Sequence, residues 1–214
     1  MYTKRLRLVA VAALLAPLTA STTWADAAPG PLVAKTSVTC TGPAHMNFSP
    51  ALTTSPQDST VTGSNQFPTC TVVQQNAVTG EQIGTPETLT PASGEEPFVV
   101  EVRYTSLVLS QGQCNTRNGK FRGQVTYYWH DAVGGETLIN IGESAGITNA
   151  GLHEFANRDV ADSSSTRFAG YSEHPRGIVK PQVAGSCSGS SGVTAMSGDV
   201  TITLTSPPYV TTVT

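Results

Sequence analysis

Phe121-Arg122-Gly123-Gln124-Val125-Thr126-Tyr127-Tyr128-Trp129-His130 is the stretch on which the fold turns. Phe121, Gly123, Val125, Tyr127 and Trp129 fall on one side of a two-residue period. Arg122, Gln124, Thr126, Tyr128 and His130 fall on the other. Such alternation marks a strand with one face in a core, and its aromatic and β-branched content suits a pleated surface. The same period runs through Phe98 to Leu109, where Val100, Val102 and Tyr104 oppose Glu101, Arg103 and Thr105. It returns near the C-terminus, where Val200, Ile202 and Leu204 alternate with Thr201, Thr203 and Thr205. Val33 to Thr41, Thr69 to Gln75 and Thr137 to Ile141 are shorter β-branched or apolar runs. Thr79-Gly80, Asn118-Gly119 and Gly134-Gly135 supply turn chemistry between them. The one competing signal is a helical turn between Ile147 and Arg158, which Gly151 interrupts. These signals predict an all-β fold, an antiparallel β-sandwich of immunoglobulin-like or jelly-roll-like type.

Composition agrees. Charged residues make up 13% of the 214, while there are 20 Gly, 14 Pro, 30 Thr and 20 Ser. Polarity is carried by hydroxyls, and the best helix formers are scarce. The N-terminus carries Lys4, Arg5 and Arg7, then an apolar stretch from Val9 to Leu18, then Ala25-Asp26-Ala27. This is the layout of a secretory signal peptide over residues 1–27, with Ala28 as the first mature residue. Val9 to Leu18 is too short to span a bilayer core, which needs about 20 apolar residues. Residues 28–214 then form a single domain, exported and extracellular, with no membrane attachment after cleavage.

The formal charge is −3, and removal of the basic leader makes the remainder more acidic. Its Lys and Arg residues are scattered, which argues against a nucleic-acid partner and against electrostatic attraction to anionic lipid or wall polymers. Cys40, Cys70, Cys114 and Cys187 are far apart in sequence, unlike CxxC metal pairs, and in an oxidising compartment they imply two disulfides. Four cysteines allow three pairings.

The chain resembles a group of secreted actinobacterial, Streptomyces-like all-β proteins to which no activity is assigned. The matching pieces are Thr39-Cys40-Thr41-Gly42, Phe48-Ser49-Pro50-Ala51-Leu52-Thr53, Cys70 and Cys114. Then come the run from Gly119 to Trp129, Arg167-Phe168-Ala169-Gly170, and Cys187 with the Ser/Gly-rich and Thr-rich sequence after it. The resemblance implies sequential disulfides, Cys40–Cys70 and Cys114–Cys187, and it offers no catalytic residues to transfer. This sequence departs from the pattern at Trp129-His130-Asp131, where a Trp-Asn turn is expected, and in the longer polar loop before Arg167.

The sharpest chemical motif is Gly142-Glu143-Ser144-Ala145-Gly146, the GxSxG frame of a nucleophile elbow. With Asp159 or Asp162 and then His174, it gives the chain order Ser, Asp, His of an esterase. Gly185-Ser186-Cys187-Ser188-Gly189 repeats the frame around a cysteine, so the spacing is cheap in this composition. The elbow also needs βα units before it and a helix after it, and neither pattern is present. His45, His130, His153 and His174 have no HxH or HxxxH spacing, so no metal site or cofactor is expected. Tyr127, Tyr128 and Trp129 are three consecutive aromatics. Tyr128, opposite the core side, is the candidate binding residue, because an exposed tyrosine on a sheet can stack on a sugar ring.

The sequence therefore reads as a secreted, non-catalytic, monomeric structural or binding module whose partner is an extracellular polysaccharide or protein. A Ser144 hydrolase is the enzymatic alternative. A protease inhibitor is a third reading, since rigid disulfide-held loops suit that task.

Overall fold

A computed structural model describes residues 32–114, 119–144, 152–154, 159–181, 187 and 191–211, the side chains of residues 143, 144 and 152–154 excepted. All belong to one compact unit, Pro31–Thr214. The expected leader, residues 1–27, lies outside the described residues, as does most of the stretch from Ile147 to Arg158. The elements are β1 (Leu32–Leu52), β2 (Gln57–Phe67), β3 (Cys70–Asn76), β4 (Gln82–Leu89), β5 (Val100–Tyr104), β6 (Leu107–Gly112) and β7 (Lys120–Trp129). They continue with β8 (Glu136–Ser144), β9 (Leu152–Glu154), β10 (Asp159–Val160), β11 (Ser172–Pro181), β12 (Val193–Thr205) and β13 (Tyr209–Thr211). Every pairing is antiparallel, and no helix occurs among the described residues.

The expected strand from Phe98 to Leu109 becomes β5 and β6, a single ribbon broken once. Both halves pair with β2 on one side and β7 on the other. Val100 and Val102 are buried before the break and Leu107 and Leu109 after it, so the alternation slips by one residue at Thr105-Ser106. That extra residue is accommodated by Gly123 on β7. Its φ is +126°, and a Cβ there would lie 2.0 Å from the Ser106 carbonyl oxygen. Only glycine meets both conditions, which explains the glycine within the opening stretch.

Two other pairs continue one another along β1. β2 and β3 both pair with it on one edge, interrupted at Pro68-Thr69, and β12 and β13 on the other, interrupted at Pro207-Pro208. Proline has no N–H to give the ladder, so each ribbon breaks where it occurs.

The sheet runs β10-β11-β12-β1-β2-β5-β7, with β8 beyond β7. Its two ends then meet. Ile139 of β8 forms a bridge with Ala161, and the Asp162 N–H donates to the Leu138 carbonyl at 2.8 Å. The chain is thus all-β, antiparallel and disulfide-stapled, as the alternation predicts. The expected sandwich layering is consistent with this geometry, its layers being opposite walls of one continuous sheet. The inward side chains include Phe67, Phe121, Tyr127, Leu109, Ile139, Ile202 and Leu204, all essentially inaccessible.

Cys40 and Cys70 are register partners on β1 and β3, with Cα atoms 4.2 Å apart, and they are bridged. Cys114 and Cys187 form the second bridge, 73 residues apart in sequence. Two disulfides suit an oxidising, extracellular setting. Among the described residues no helix is long and apolar enough to cross a membrane.

Candidate functional site

The interior holds an unusual group. Glu173 of β11 is 4% exposed, and its Oε1 accepts a hydrogen bond from the Tyr127 hydroxyl of β7. Asp159 is its register partner on β10. Nearby, the Tyr104 hydroxyl donates to Asn65 Oδ1 at 2.5 Å. These polar groups border a cavity of about 40 Å³ lined from nine strands, β1, β2, β5–β8 and β10–β12, and no Lys, Arg or His is among its lining residues. Burial, with the charge of Asp159 adding to it, pushes the Glu173 carboxyl up to about 7 despite the Tyr127 hydrogen bond. Burial likewise raises Asp159, offset in part by the Gly142 N–H. It raises both tyrosine hydroxyls as well. The cavity has room for ordered water but is far below the ~300 Å³ of a small-molecule site.

A second polar cluster closes one end of β7. The Arg167 guanidinium forks onto both oxygens of Asp131, with Nη2 to Oδ2 at 2.7 Å, and lies 4.8 Å over the rings of Trp129 and Phe168. Trp129 Nε1 donates to Thr137 Oγ1, which in turn donates to the Arg167 carbonyl at 2.7 Å. Burial opposes ionisation of Asp131. The Arg167 hydrogen bonds and charge, with the N–H groups of Gly134 and Val133, outweigh it and hold the carboxyl below its usual range. Both partners are largely enclosed, so this is a structural clamp without an open surface.

The open surface lies on the outer face of β11, β12 and β1. Alternation sends Glu173 inward and Ser172, His174 and Arg176 outward. On β12 it sends Val200, Ile202 and Leu204 inward and Thr201, Thr203 and Thr205 outward. Opposite hydroxyls pair across β1 and β12: Thr41 with Thr201 at 2.8 Å, Thr39 with Thr203 at 3.4 Å, and Ser37 with Thr205 at 3.5 Å. Beside this ladder is a hollow of about 750 Å³ whose charged lining residues are Lys35 and Arg176, joined by His174. Arg176 Nε donates to His174 Nε2 at 3.0 Å, which leaves the imidazole proton on Nδ1, a buried atom without a hydrogen-bond partner among the described residues. A second hollow of about 540 Å³ shares Arg176 and Thr201 and runs on to Lys180 and Asp199.

Compared with protein-family models, with curated proteins and with solved structures, the chain finds no match.

The residues expected from sequence fall as follows. Ser144 ends β8, its main chain paired with Phe121, and its side chain lies outside the described residues, as do Ala145 and Gly146. Asp159 borders the interior cavity, whereas His174 lies on the outer face, so the wall of the sheet separates them. Asp162 is engaged in its own loop, accepting from the Ser164 N–H and hydroxyl at 2.8 Å and from Asn140. The structure does not bring the two acids and His174 into one catalytic arrangement. Tyr128 is half-exposed on the outer face, and the Arg103 guanidinium covers its ring at 4.9 Å. Among the described residues no group of three or more His, Cys, Asp or Glu is placed to hold a metal ion.

Sequence reasoning missed the β11–β12–β1 hollow. Its signal was present in Thr201-x-Thr203-x-Thr205 beside Ser37-x-Thr39-x-Thr41. The register that makes these one surface, and places His174 and Arg176 next to it, required the pairing of β11.

Proposed function

We propose that the protein is a secreted, non-catalytic extracellular binding module. The observation that carries this reading is the outer hollow: a large concavity open to solvent, lined by hydroxyls and by Lys35 and Arg176, neither of which forms an ion pair among the described residues. The buried acids, by contrast, sit in a cavity too small for substrate. The 750 Å³ volume lies within the range of roughly 300–1,000 Å³ usual for ligand sites. Two disulfides and the basic-then-apolar N-terminus support export. The separation of Asp159 from His174 by the sheet counts against the esterase alternative.

The test is retardation of the secreted protein in native gels cast with soluble polysaccharides, neutral and charged, alongside Thr203→Tyr. Thr203 stands mid-hollow on an outward position, so a tyrosine there fills the space without touching the core. Retardation by at least one polymer, lost in Thr203→Tyr, is expected. Retardation by none, or retardation indifferent to Thr203→Tyr, overturns the binding reading. Labelling by a fluorophosphonate that vanishes in Ser144→Ala overturns the non-catalytic reading.

A further inference from the structure

We propose that the β11–β12–β1 hollow takes an anionic polysaccharide, its carboxylate or sulfate groups held by Arg176 and Lys35 and its hydroxyls by the threonine ladder; this rests on the binding-module reading above. Three observations carry the ligand class.

The first is charge. The chain as a whole is acidic, at −3, yet the hollow's lining residues include Lys35 and Arg176 and no carboxylate. Neither cation forms an ion pair among the described residues. The acids nearest in register are Asp199, which borders the second hollow, and Glu154, whose main chain faces Arg176 from β9. Arg176 stands level with Thr201 and Thr41, and Lys35 lies beyond Ser37 at the opposite end of the ladder, one cation at each end.

The second is preorganisation. The 3.0 Å bond from Arg176 Nε to His174 Nε2 fixes one edge of the guanidinium. The terminal N–H groups remain to fork onto a carboxylate or sulfate, the planar oxyanions that arginine matches best. His174 Nδ1 is turned away from solvent, so the imidazole serves to hold Arg176 and leaves ligand contact to the guanidinium.

The third is what the lining omits. It has no Phe, Tyr or Trp, so neutral sugars would lack the aromatic platform on which pyranose faces stack, and nucleic-acid bases would lack theirs. Hydroxyls at successive outward positions suit sugar hydroxyls instead. The second hollow extends the surface from Ser172 to Lys180, about 27 Å at ~3.4 Å per strand residue, which favours a chain over a single sugar.

The experiment is titration calorimetry of the secreted protein with polygalacturonate, dextran sulfate, neutral dextran and single-stranded DNA, at low salt and in about 0.5 M NaCl, where screening shortens to a few ångströms. Variants are Arg176→Gln, Lys35→Gln and, on β7 away from the hollow, Arg122→Gln, each checked for unchanged near-ultraviolet circular dichroism. Expected is binding to polygalacturonate or dextran sulfate that salt weakens. Arg176→Gln should reduce it by roughly tenfold or more, the loss of a charge-assisted hydrogen bond, while Arg122→Gln leaves it alone. Which of the two polymers binds tells carboxylate from sulfate. Equal binding of neutral dextran overturns the anionic class while the binding-module reading stands. Tighter binding of DNA overturns the saccharide, and binding that ignores Arg176→Gln and Lys35→Gln overturns the site. No binding to any polymer overturns both readings together.

Discussion

Tyr128 and Trp129 are neighbours on β7 that point to opposite faces, and each lies beneath an arginine paired with a carboxylate. On the outside, Arg103 sits 4.9 Å from the Tyr128 ring and 2.7 Å from Glu101. On the inside, Arg167 sits 4.8 Å from the Trp129 ring and forks onto Asp131. The chemistry is the same and the surroundings differ at the guanidinium: the Arg103 side chain is 58% exposed and that of Arg167 11%, while Glu101 and Asp131 are both largely enclosed. Water screens the outer set and competes for its hydrogen bonds, so it contributes little. The inner set has no water to fall back on, and each partner is needed to keep the other from being a buried, unpaired charge. Glu173 completes the comparison. It is as buried as Asp131 but has a tyrosine hydroxyl where Asp131 has a guanidinium, and its acidity moves the opposite way.

Removing Arg167 should do the most damage. Arg167→Ala strands the Asp131 carboxylate and opens the face of Trp129, and loss of one partner of a buried pair costs about 3–5 kcal/mol. Urea unfolding at pH 7 measures it, and a loss below ~1 kcal/mol would break the contrast between the two sets. The double variant Asp131→Asn, Arg167→Gln sharpens it. With no charge left to strand, it should recover part of that loss.

The pH dependence of stability separates the two buried acids. The Glu173 carboxyl, ordinarily near 4.5, stands at about 7 in the folded chain. A raised acid is favoured protonated, so its contribution is complete below about pH 4.5 and drains away as pH rises through 7. The span is on the order of 3 kcal/mol. Asp131, lowered from 3.8, does the reverse, adding stability above that value and losing it as pH falls. Unfolding free energy should therefore fall between pH 5 and 8, and Glu173→Gln should flatten that limb while leaving the acid limb. A wild-type limb as flat as that of Glu173→Gln would mean that the interior supplies Glu173 with a cation or enough water. Tyr127→Phe comes next in size. It removes the hydroxyl that favours the ionised carboxylate, so the midpoint of this limb moves to higher pH, with a loss of about 1–3 kcal/mol for the unmet partner.

The unevenness of what could be read from sequence has the same origin. Strands with one clean apolar face, β7 and the Val200 to Leu204 part of β12, were legible, because alternation is the direct imprint of a single buried face. β11 was not. Pro175, Gly177 and Pro181 weaken its strand signal, and the residue it buries deepest beside the cavity is Glu173, which alternation counts as outward. The second half of β1 begins with Gly42-Pro43, a turn signature that tertiary pairing overrides: Gly42 is small because Phe67 and the Gln66 carbonyl press against it. Asp131 and Arg167 are 36 residues apart and joined only by the fold. The order Ser144, Asp159 or Asp162, His174 was legible too, without the placement that the fold gives it. Asp159 and His174 belong to paired strands, yet they face opposite sides of the wall.

The smallest effect expected is at the outer set, and its smallness is informative. Arg103→Ala removes a solvent-facing guanidinium from a largely enclosed Glu101 and from over the Tyr128 ring, together worth about 1 kcal/mol. Raising the salt should erase most of even that, since only the ion pair responds strongly to screening. The variant also bares the ring of Tyr128, which in the native chain is covered. If neutral sugars bind Arg103→Ala and not the native protein, Tyr128 is a stacking platform that the arginine keeps closed. If they bind neither, the tyrosine's role is to seat Arg103 beside Glu101, and recognition belongs to the threonine face on the other wall.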